Sequence, residues 1–324
     1  MNHNKQTKKI LLLVAVLAVL ALILYSATRL MESVLTPDTG EVAIQSKTVS
    51  KNGTDYFPRQ DITTILLMGV DRYGPVADSE AYNNSGASDL NILVIIDETA
   101  ESVDLLYLNR DTMVEMPVLG IGGRNAGTYY GQLALAHTYG SGLEESCENT
   151  VETISKLLGG IRIDYYLSMN MDTIAILNDA VGGVTVEVKD DFSQVDPTLV
   201  KGEQVLLKGD QALTYVRTRK DMEDSSNLRR MERQRQFMDA LYEKLLDCTE
   251  NNPDFLLDAL LQLSDSVMSD CTPTQLEALF DLMEECALNS ITPLKGEAVK
   301  GDEFMEFYTD EDSLKQTVIS LFCD

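Results

Sequence analysis

"LNILVIIDETAESVDLLYLN", residues 90–109, places two apolar runs rich in Ile, Val and Leu on either side of a polar turn. Successive side chains of a strand point to opposite faces, so a run that is apolar at consecutive positions suits a sheet covered on both sides. A third run of this kind, ITTILLMGV at 62–70, precedes them, and a shorter one, YYLSMN at 165–170, follows. Helical patterns fall at about 129–139, 144–158 and 171–180, and GGVTVEV at 182–188 reads as a turn and strand. Strands alternating with helices predict an α/β fold, an α-β-α sandwich around a mixed central β-sheet. Beyond 226 the chain reads as mainly helical, with amphipathic patterns at 227–248, 254–268 and 273–287, an extended pair around 291–308 and a last helix at 311–322. The expected organisation is a core domain over 61–248 and a mainly helical C-terminal part over 249–324.

The N-terminal residues differ in kind. Lys5, Lys8 and Lys9 lie in a tail of residues 1–9 without an acid, and the uncharged apolar run from Ile10 to Ala27 follows. That run is long enough to span a bilayer, and basic residues before it place the N-terminus in the cytoplasm. A cleaved signal peptide is the alternative. The run is longer than a usual signal core and no A-x-A site follows it, which favours an uncleaved transmembrane signal-anchor over 10–28. Residues 29–60 then read as a stem, and the chain as a single-pass protein of the cell membrane with its working part outside. With the three lysines set aside, 23 bases face 52 acids, a balance of −29 that opposes binding to nucleic acid. Five cysteines with no C-x-x-C pair suggest neither a disulfide framework nor a zinc site. His137, alone in QLALAHTYG, is assigned no chemistry.

Three aspartates lie at predicted strand ends: Asp71, Asp89 and Asp111. A symmetric register about the turn ETAES would set Asp97 opposite Val103 and, carried along the strands, Asp89 opposite Asp111. Two carboxylates so placed repel unless a cation lies between them. A hard ion such as Mg²⁺, held by one or two carboxylates and otherwise by water and phosphate oxygens, fits that pair. Aspartates are also common at strand ends as turn and cap residues. Arg110, beside Asp111, emerges at the same edge.

Six arginines (Arg217, Arg219, Arg229, Arg230, Arg233 and Arg235) lie in VRTRKDMEDSSNLRRMERQRQF, residues 216–237. Asp210 reads as the cap of a short helix ending near Arg217, and Arg217 and Arg219 would point to one side if extended. Arg230, Arg233 and Gln234 form a stripe beside the core stripe in the first turns of the helix beginning near 227. Guanidinium forks bind phosphate bidentately, and a helix start favours anions. A solvated basic face paired with Glu223, Asp224 and Glu232 is the other reading.

In this order, ILLMGVD, ASDLNILVIID, LLYLNRDTMVEMP, QLALAHTYG, ENTVETISKLLGGIRIDYYLSMN, LNDAVGGVTVEV, GDQALTYVRTR and RRMERQRQF resemble the LytR-CpsA-Psr family over roughly residues 62–240. The resemblance implies an anchored extracytoplasmic phosphotransferase. Such an enzyme takes a glycopolymer, teichoic acid or capsule, from an undecaprenyl pyrophosphate carrier and joins it to peptidoglycan through a phosphodiester. Carried over by motif, Asp89 and Asp111 would hold Mg²⁺. Arg110, Arg217, Arg219, Arg230 and Arg233 would grip the pyrophosphate with Gln234 beside them, and Asp111 or Asp71 would accept the acceptor proton. Several positions depart from the family pattern: Ala87-Ser88-Asp89-Leu90 for R-S-D-T, Asn109 for a proline, Gln132-Leu133-Ala134 for a segment with Lys and Asn, and Asn227-Leu228-Arg229-Arg230 for D-x-G-R. Arg124, in the Gly-rich GIGGRNAG, or Arg229 could compensate. These departures keep open a non-catalytic envelope module that binds polyprenyl pyrophosphate or wall polymer.

Overall fold

The computed structural model describes residues 48–51, 53–74, 76, 86–120, 123–218, 227–252, 255, 259, 262–272, 275, 278–279, 282–283, 286–301 and 304–324, without the side chains of several residues of the helix from 227 onward. The predicted transmembrane run and Arg219 lie outside the described residues, as do the side chains of Arg229, Arg230, Gln234 and Arg235. Among the described residues no helix is long and apolar enough to cross a membrane.

In chain order the elements are β1 (Val49–Lys51), β2 (Thr54–Tyr56), β3 (Ile62–Val70), β4 (Ser88–Asp97), β5 (Ser102–Leu108), β6 (Met113–Leu119), β7 (Asn125–Gln132), a short 3-10 helix (Leu133–Thr138), α1 (Glu144–Leu157), β8 (Tyr165–Asn170), α2 (Asp172–Ala180), β9 (Val184–Glu187), β10 (Gln204–Leu207), α3 (Asp210–Arg217) and α4 (Asn227–Asn251). Then come β11 (Val267–Ser269), β12 (Ala287–Pro293), β13 (Gly296–Lys300), β14 (Met305–Thr309) and α5 (Glu311–Phe322). The chain divides into two compact units, one running to Asn170 and resuming at Val267, the other spanning Met171–Ser266.

The first unit is built on a six-stranded mixed sheet in the order β11-β8-β3-β4-β5-β12. β3 pairs parallel with β8 and antiparallel with β4, which pairs antiparallel with β5. Its apolar strands divide residue by residue between two cores. Leu66, Met68, Leu93, Ile95, Leu106 and Leu108 pack on one face with Cys147 and Ile154 of α1 and with Val318 and Phe322 of α5. Ile65, Leu67, Val94, Ile96, Val103 and Leu105 pack on the other with Cys271, Leu279, Met283 and Cys286. Each of these aliphatic side chains contributes roughly 1.5–3 kcal/mol by leaving water, which is why the runs are apolar at every position. The cysteines are free, three of them buried within these layers.

Two expectations about elements are corrected. Residues 125–132 are a strand, β7, antiparallel to β6, and only 133–138 turn as a helix. Thr128, Tyr129 and Tyr130 favour extended backbone, and the hairpin gives their amides partners that a helix start would leave open. Among the described residues, 267–269, expected to close a helix, form β11, which pairs antiparallel with β8; β12 pairs parallel with β5, so the segment supplies both edges of the sheet, and β13–β14 forms a hairpin.

In the second unit β9 and β10 pair antiparallel. Asp210 is the first residue of α3 and not its cap; Gly209, at φ 50°, precedes it in a conformation that favours glycine.

Candidate functional site at the β3–β4–β5 edge

β3 ends, β4 begins and β5 ends at one edge of the sheet, which gathers Asp71, Asp89, Arg110 and Asp111. The β3–β4 register slips between Gly69↔Leu90 and Val70↔Ser88, leaving Asp89 as the extra residue of a bulge. A bulge re-aims its side chain. A Cβ at Gly69 would meet the Leu90 Cβ at 3.0 Å, so the bulge relies on a glycine opposite it. Buried Ser88 and Asn91 pin it: Ser88 Oγ donates to Asn91 Oδ1 at 2.6 Å, and Asn91 Nδ2 to Ser88 O at 3.0 Å. His137 holds the approach, its Nδ1 donating to Gly86 O at 2.9 Å. Burial lowers the His137 pKa to about 4, so the ring is neutral at neutral pH and its role is positional. Asp71 N–H donates to Ala87 O at 2.8 Å, fixing Asp71 beside the start of β4.

Arg110 and Asp111 sit in a tight turn. Asn109 builds it: its Oδ1 accepts from Asp111 N at 3.0 Å, and its carbonyl accepts from Thr112 N at 3.0 Å and Thr112 Oγ1 at 2.7 Å. The Asn109 that stands in place of proline therefore supplies the turn by a side-chain acceptor.

The expected register is off by one. β4 and β5 pair Asp97 with Ser102 and Asn91 with Leu108, so the same progression beyond the ladder brings Asp89 level with Arg110 and not with Asp111. The connecting turn is one residue tighter than ETAES, with Glu101 at φ 47°. Arg110 Nη1 accordingly bonds Asp89 Oδ1, while Arg110 Nε lies 3.5 Å from Asp111 Oδ1. One guanidinium spans both carboxylates. The three side chains are 34%, 26% and 30% exposed, open enough to meet a ligand.

Gln132, at the end of β7, completes the cluster. Its Nε2 donates to Asp111 Oδ1 at 2.7 Å and to Met305 O at 2.8 Å, and Phe307 N donates to Asp111 O at 2.8 Å. Tyr107, an exposed residue of β5, has its hydroxyl pKa raised by desolvation and then by the charge of Asp111, with Arg110 opposing. Among the described residues no trio of His, Cys, Asp and Glu gathers as a metal site. The donor chemistry still suits Mg²⁺, since two partly exposed carboxylates at one edge match an ion that completes its shell with water and phosphate oxygens.

In the second unit Arg217 ends α3 and is exposed. Arg233 does not act as the sequence suggests. It is 3% exposed, and its Nε donates to Tyr215 O at 2.9 Å, Nη1 to Asp190 Oδ2 at 2.5 Å and Nη2 to Thr218 O. The guanidinium also lies 5.5 Å from the Phe192 ring centroid, and Phe192 stacks on Tyr215. Arg233 therefore fastens the start of α4 to the end of α3 beside Arg217, and its fork is committed to protein groups. Asp190 carries no sequence signal for this pairing, being 43 residues away. Gln132 and Asn109 stand out in the sequence as departures from a family pattern, without an indication of what they bond.

The sequence model described as the LytR_cpsA_psr family matches residues 31–318. The chain is 32% identical over 224 residues to the polyisoprenyl-teichoic acid--peptidoglycan teichoic acid transferase TagU of Halalkalibacterium halodurans, an alignment spanning 69% of this chain and 64% of the relative. It is 28% identical over 246 residues to TagU of Enterococcus faecalis, covering 75% and 71% of the two chains. Among solved structures, protein gbs0355 from Streptococcus agalactiae superposes with a TM-score of 0.58 at 26% identity, over 80% of this chain and 87% of that one. TagT of B. subtilis shares the fold with a TM-score of 0.52 at 23% identity, over 85% of this chain and 95% of that one. With a match that runs from just after the apolar segment into α5, the chain belongs to the LytR_cpsA_psr family.

Proposed function

We propose that this chain is a phosphotransferase that moves a glycopolymer from a polyprenyl (undecaprenyl) pyrophosphate carrier to peptidoglycan, working outside the cell from a single-pass membrane anchor. The observation that carries the reading is the Asp89–Arg110–Asp111 cluster at the sheet edge of a chain whose relatives are named as such transferases. An acceptor sugar hydroxyl attacks the sugar-linked phosphorus, the bond from that phosphorus to the bridging oxygen breaks, and polyprenyl phosphate leaves with the electron pair. The acceptor proton passes to Asp111 or Asp71.

Phosphoryl transfer depends mainly on positioning and on neutralising charge. Arg110 supplies a planar fork at the edge, held in orientation by Asp89. Gln132 and the Asn109 turn hold Asp111. Arg217, Arg219 and Arg230 bind the pyrophosphate with Gln234 beside them, and Arg233 positions the backbone between them. Mg²⁺ held by Asp89 and Asp111 would supply Lewis-acid charge to the phosphate oxygens.

The test incubates the protein with a polyprenyl-pyrophosphate oligosaccharide and peptidoglycan fragments, with Mg²⁺ or EDTA, and follows release of polyprenyl phosphate. Release that requires Mg²⁺, Asp89 and Arg217, with sugar appearing on the glycan, is the expected result. Binding of the lipid without consumption across a range of donors would replace the transferase with the non-catalytic envelope module.

A further inference from the structure

The hairpin β6–β7 starts directly after the Asp111 turn, and its register pairs Met113 with Gln132 and Glu115 with Tyr130. Strand alternation puts these four side chains on one face. Gln132 on that face reaches Asp111, so Tyr130, 55% exposed, shares the Asp111 side of the hairpin. Tyr129 points the other way, its ring lying over Gly131 and edge-on to Tyr139. The hairpin β13–β14 is attached to the same turn, through the Thr112–Phe307 bridge and the Phe307 N to Asp111 O bond. Next to Phe307 stands Tyr308, 41% exposed, whose hydroxyl donates to Glu306 Oε2 at 2.7 Å. Partners in a bridge share a face, so with Thr112 paired parallel to Phe307, Tyr308 falls one residue on with Met113, Glu115 and Tyr130 on the opposite face. Its bond to Glu306 first, and the charge of Tyr130 last, raise the Tyr308 hydroxyl pKa, in keeping with that placement.

Two exposed tyrosines with carboxylates around them are unusual beside a site for anions. A pyrophosphate or a polyanionic polymer would meet Glu115, Glu306 and Glu297, which is paired with Tyr308 across the hairpin. A neutral sugar ring offers what the surface lacks: an apolar C–H face for each aromatic ring and a rim of hydroxyls for the carboxylates. The surface is also continuous with Asp111, where the transferase reading places the attacking hydroxyl.

We propose that Tyr130 and Tyr308 form a stacking platform for the N-acetylated hexosamine backbone of the acceptor glycan, presenting its hydroxyl toward Asp111. The identity of the acceptor rests on the transferase reading; the platform itself rests on the two hairpins. Tyr129, turned away, has no part in it.

A neutral chitooligosaccharide is the probe. Its affinity for the whole protein is measured by titration calorimetry for wild type, Tyr130→Ala/Tyr308→Ala, Tyr308→Phe and Tyr129→Ala, with far-UV circular dichroism checking the fold. The double variant is expected to bind at least about tenfold more weakly, the Phe and Tyr129 variants to bind like wild type, and the lipid-linked pyrophosphate donor to bind all four alike. Unchanged oligosaccharide affinity in the double variant, or no binding by wild type, overturns the platform. Binding through the two tyrosines by a protein that consumes no donor upholds the platform and removes the transferase reading, so the two failures are distinguishable.

Discussion

Arg110 Nη1 bonds Asp89 Oδ1, so the arginine at the end of β5, and not its neighbour Asp111, stands across the sheet edge from the bulged aspartate. A single fork thereby lies between two carboxylates that would otherwise repel. The pair is partly open to solvent, and its value lies in orientation more than in stability.

Asp89→Asn removes the charge that orients Arg110 and leaves the bulge intact. Polyprenyl phosphate release should fall by about 10²-fold or more, with thermal stability near that of wild type. Arg110→Lys should not restore activity to a useful level, because an ammonium cannot span both carboxylates as a planar fork does.

Gln132→Leu cuts the side-chain link between Asp111 and Met305 O. Steady-state kinetics should show kcat reduced about 10- to 100-fold while KM for the lipid donor changes little, since Asp111 loses its orientation and the pyrophosphate arginines are untouched. A KM effect with unaltered kcat would contradict this role.

Two arginines a short distance apart in sequence should behave oppositely. Arg233→Ala leaves buried Asp190 without its partner and should lower unfolding stability by about 3–5 kcal/mol, with Arg233→Lys a poor substitute. Arg217→Ala, at an exposed position, should shift stability by no more than about 0.5 kcal/mol and weaken donor binding. Thermal unfolding and lipid binding, measured on both, check the contrast.

Acid should expose a third arginine. Arg59 bonds Asp61 Oδ2 at 2.8 Å and Asp97 Oδ2 at 2.7 Å at the opposite end of β3 and β4. Its guanidinium lowers the Asp61 pKa to about 2 and holds Asp97 below the ordinary value. Depressed carboxylates stabilise the fold above their ordinary pKa of 3.8 and lose that contribution as the pH falls toward about 2. Arg59→Gln should therefore be less stable than wild type at pH 6, and the two stability curves should converge on acidification; parallel curves would contradict the assignment.

The central sheet was legible because strands 62–70, 90–97 and 103–109 must feed two cores at once, and that demand writes itself as unbroken apolar runs. β12 was read only as part of an extended pair, because an edge strand with alternating exposure carries a weak signal; its parallel partner lies about 185 residues earlier. Strand ends alone place Asp89, Arg110 and Asp111 at one edge, and the structure adds Asp71 to them. The register was not, since one residue more or less in a polar turn changes no apolar position. The role of Arg233 is illegible for a related reason: a helix stripe tells which residues share a face, and the acid that meets that face comes from a distant loop.

The dependence of Asp111 on Met305 and Phe307 has a temporal side. A chain made from its N-terminus can pair β3, β4 and β5 from neighbouring segments, across the connection 71–87 and the tight turn 98–101, and closures of that length are fast. Gln132 cannot meet Met305 O, nor Asp111 O its Phe307 amide, until some 170 to 200 further residues have emerged. Long-range pairings of that kind close slowly and late. The carboxylate cluster thus acquires its final supports late, and a nascent chain that already pairs β3, β4 and β5 would still hold Asp111 without them.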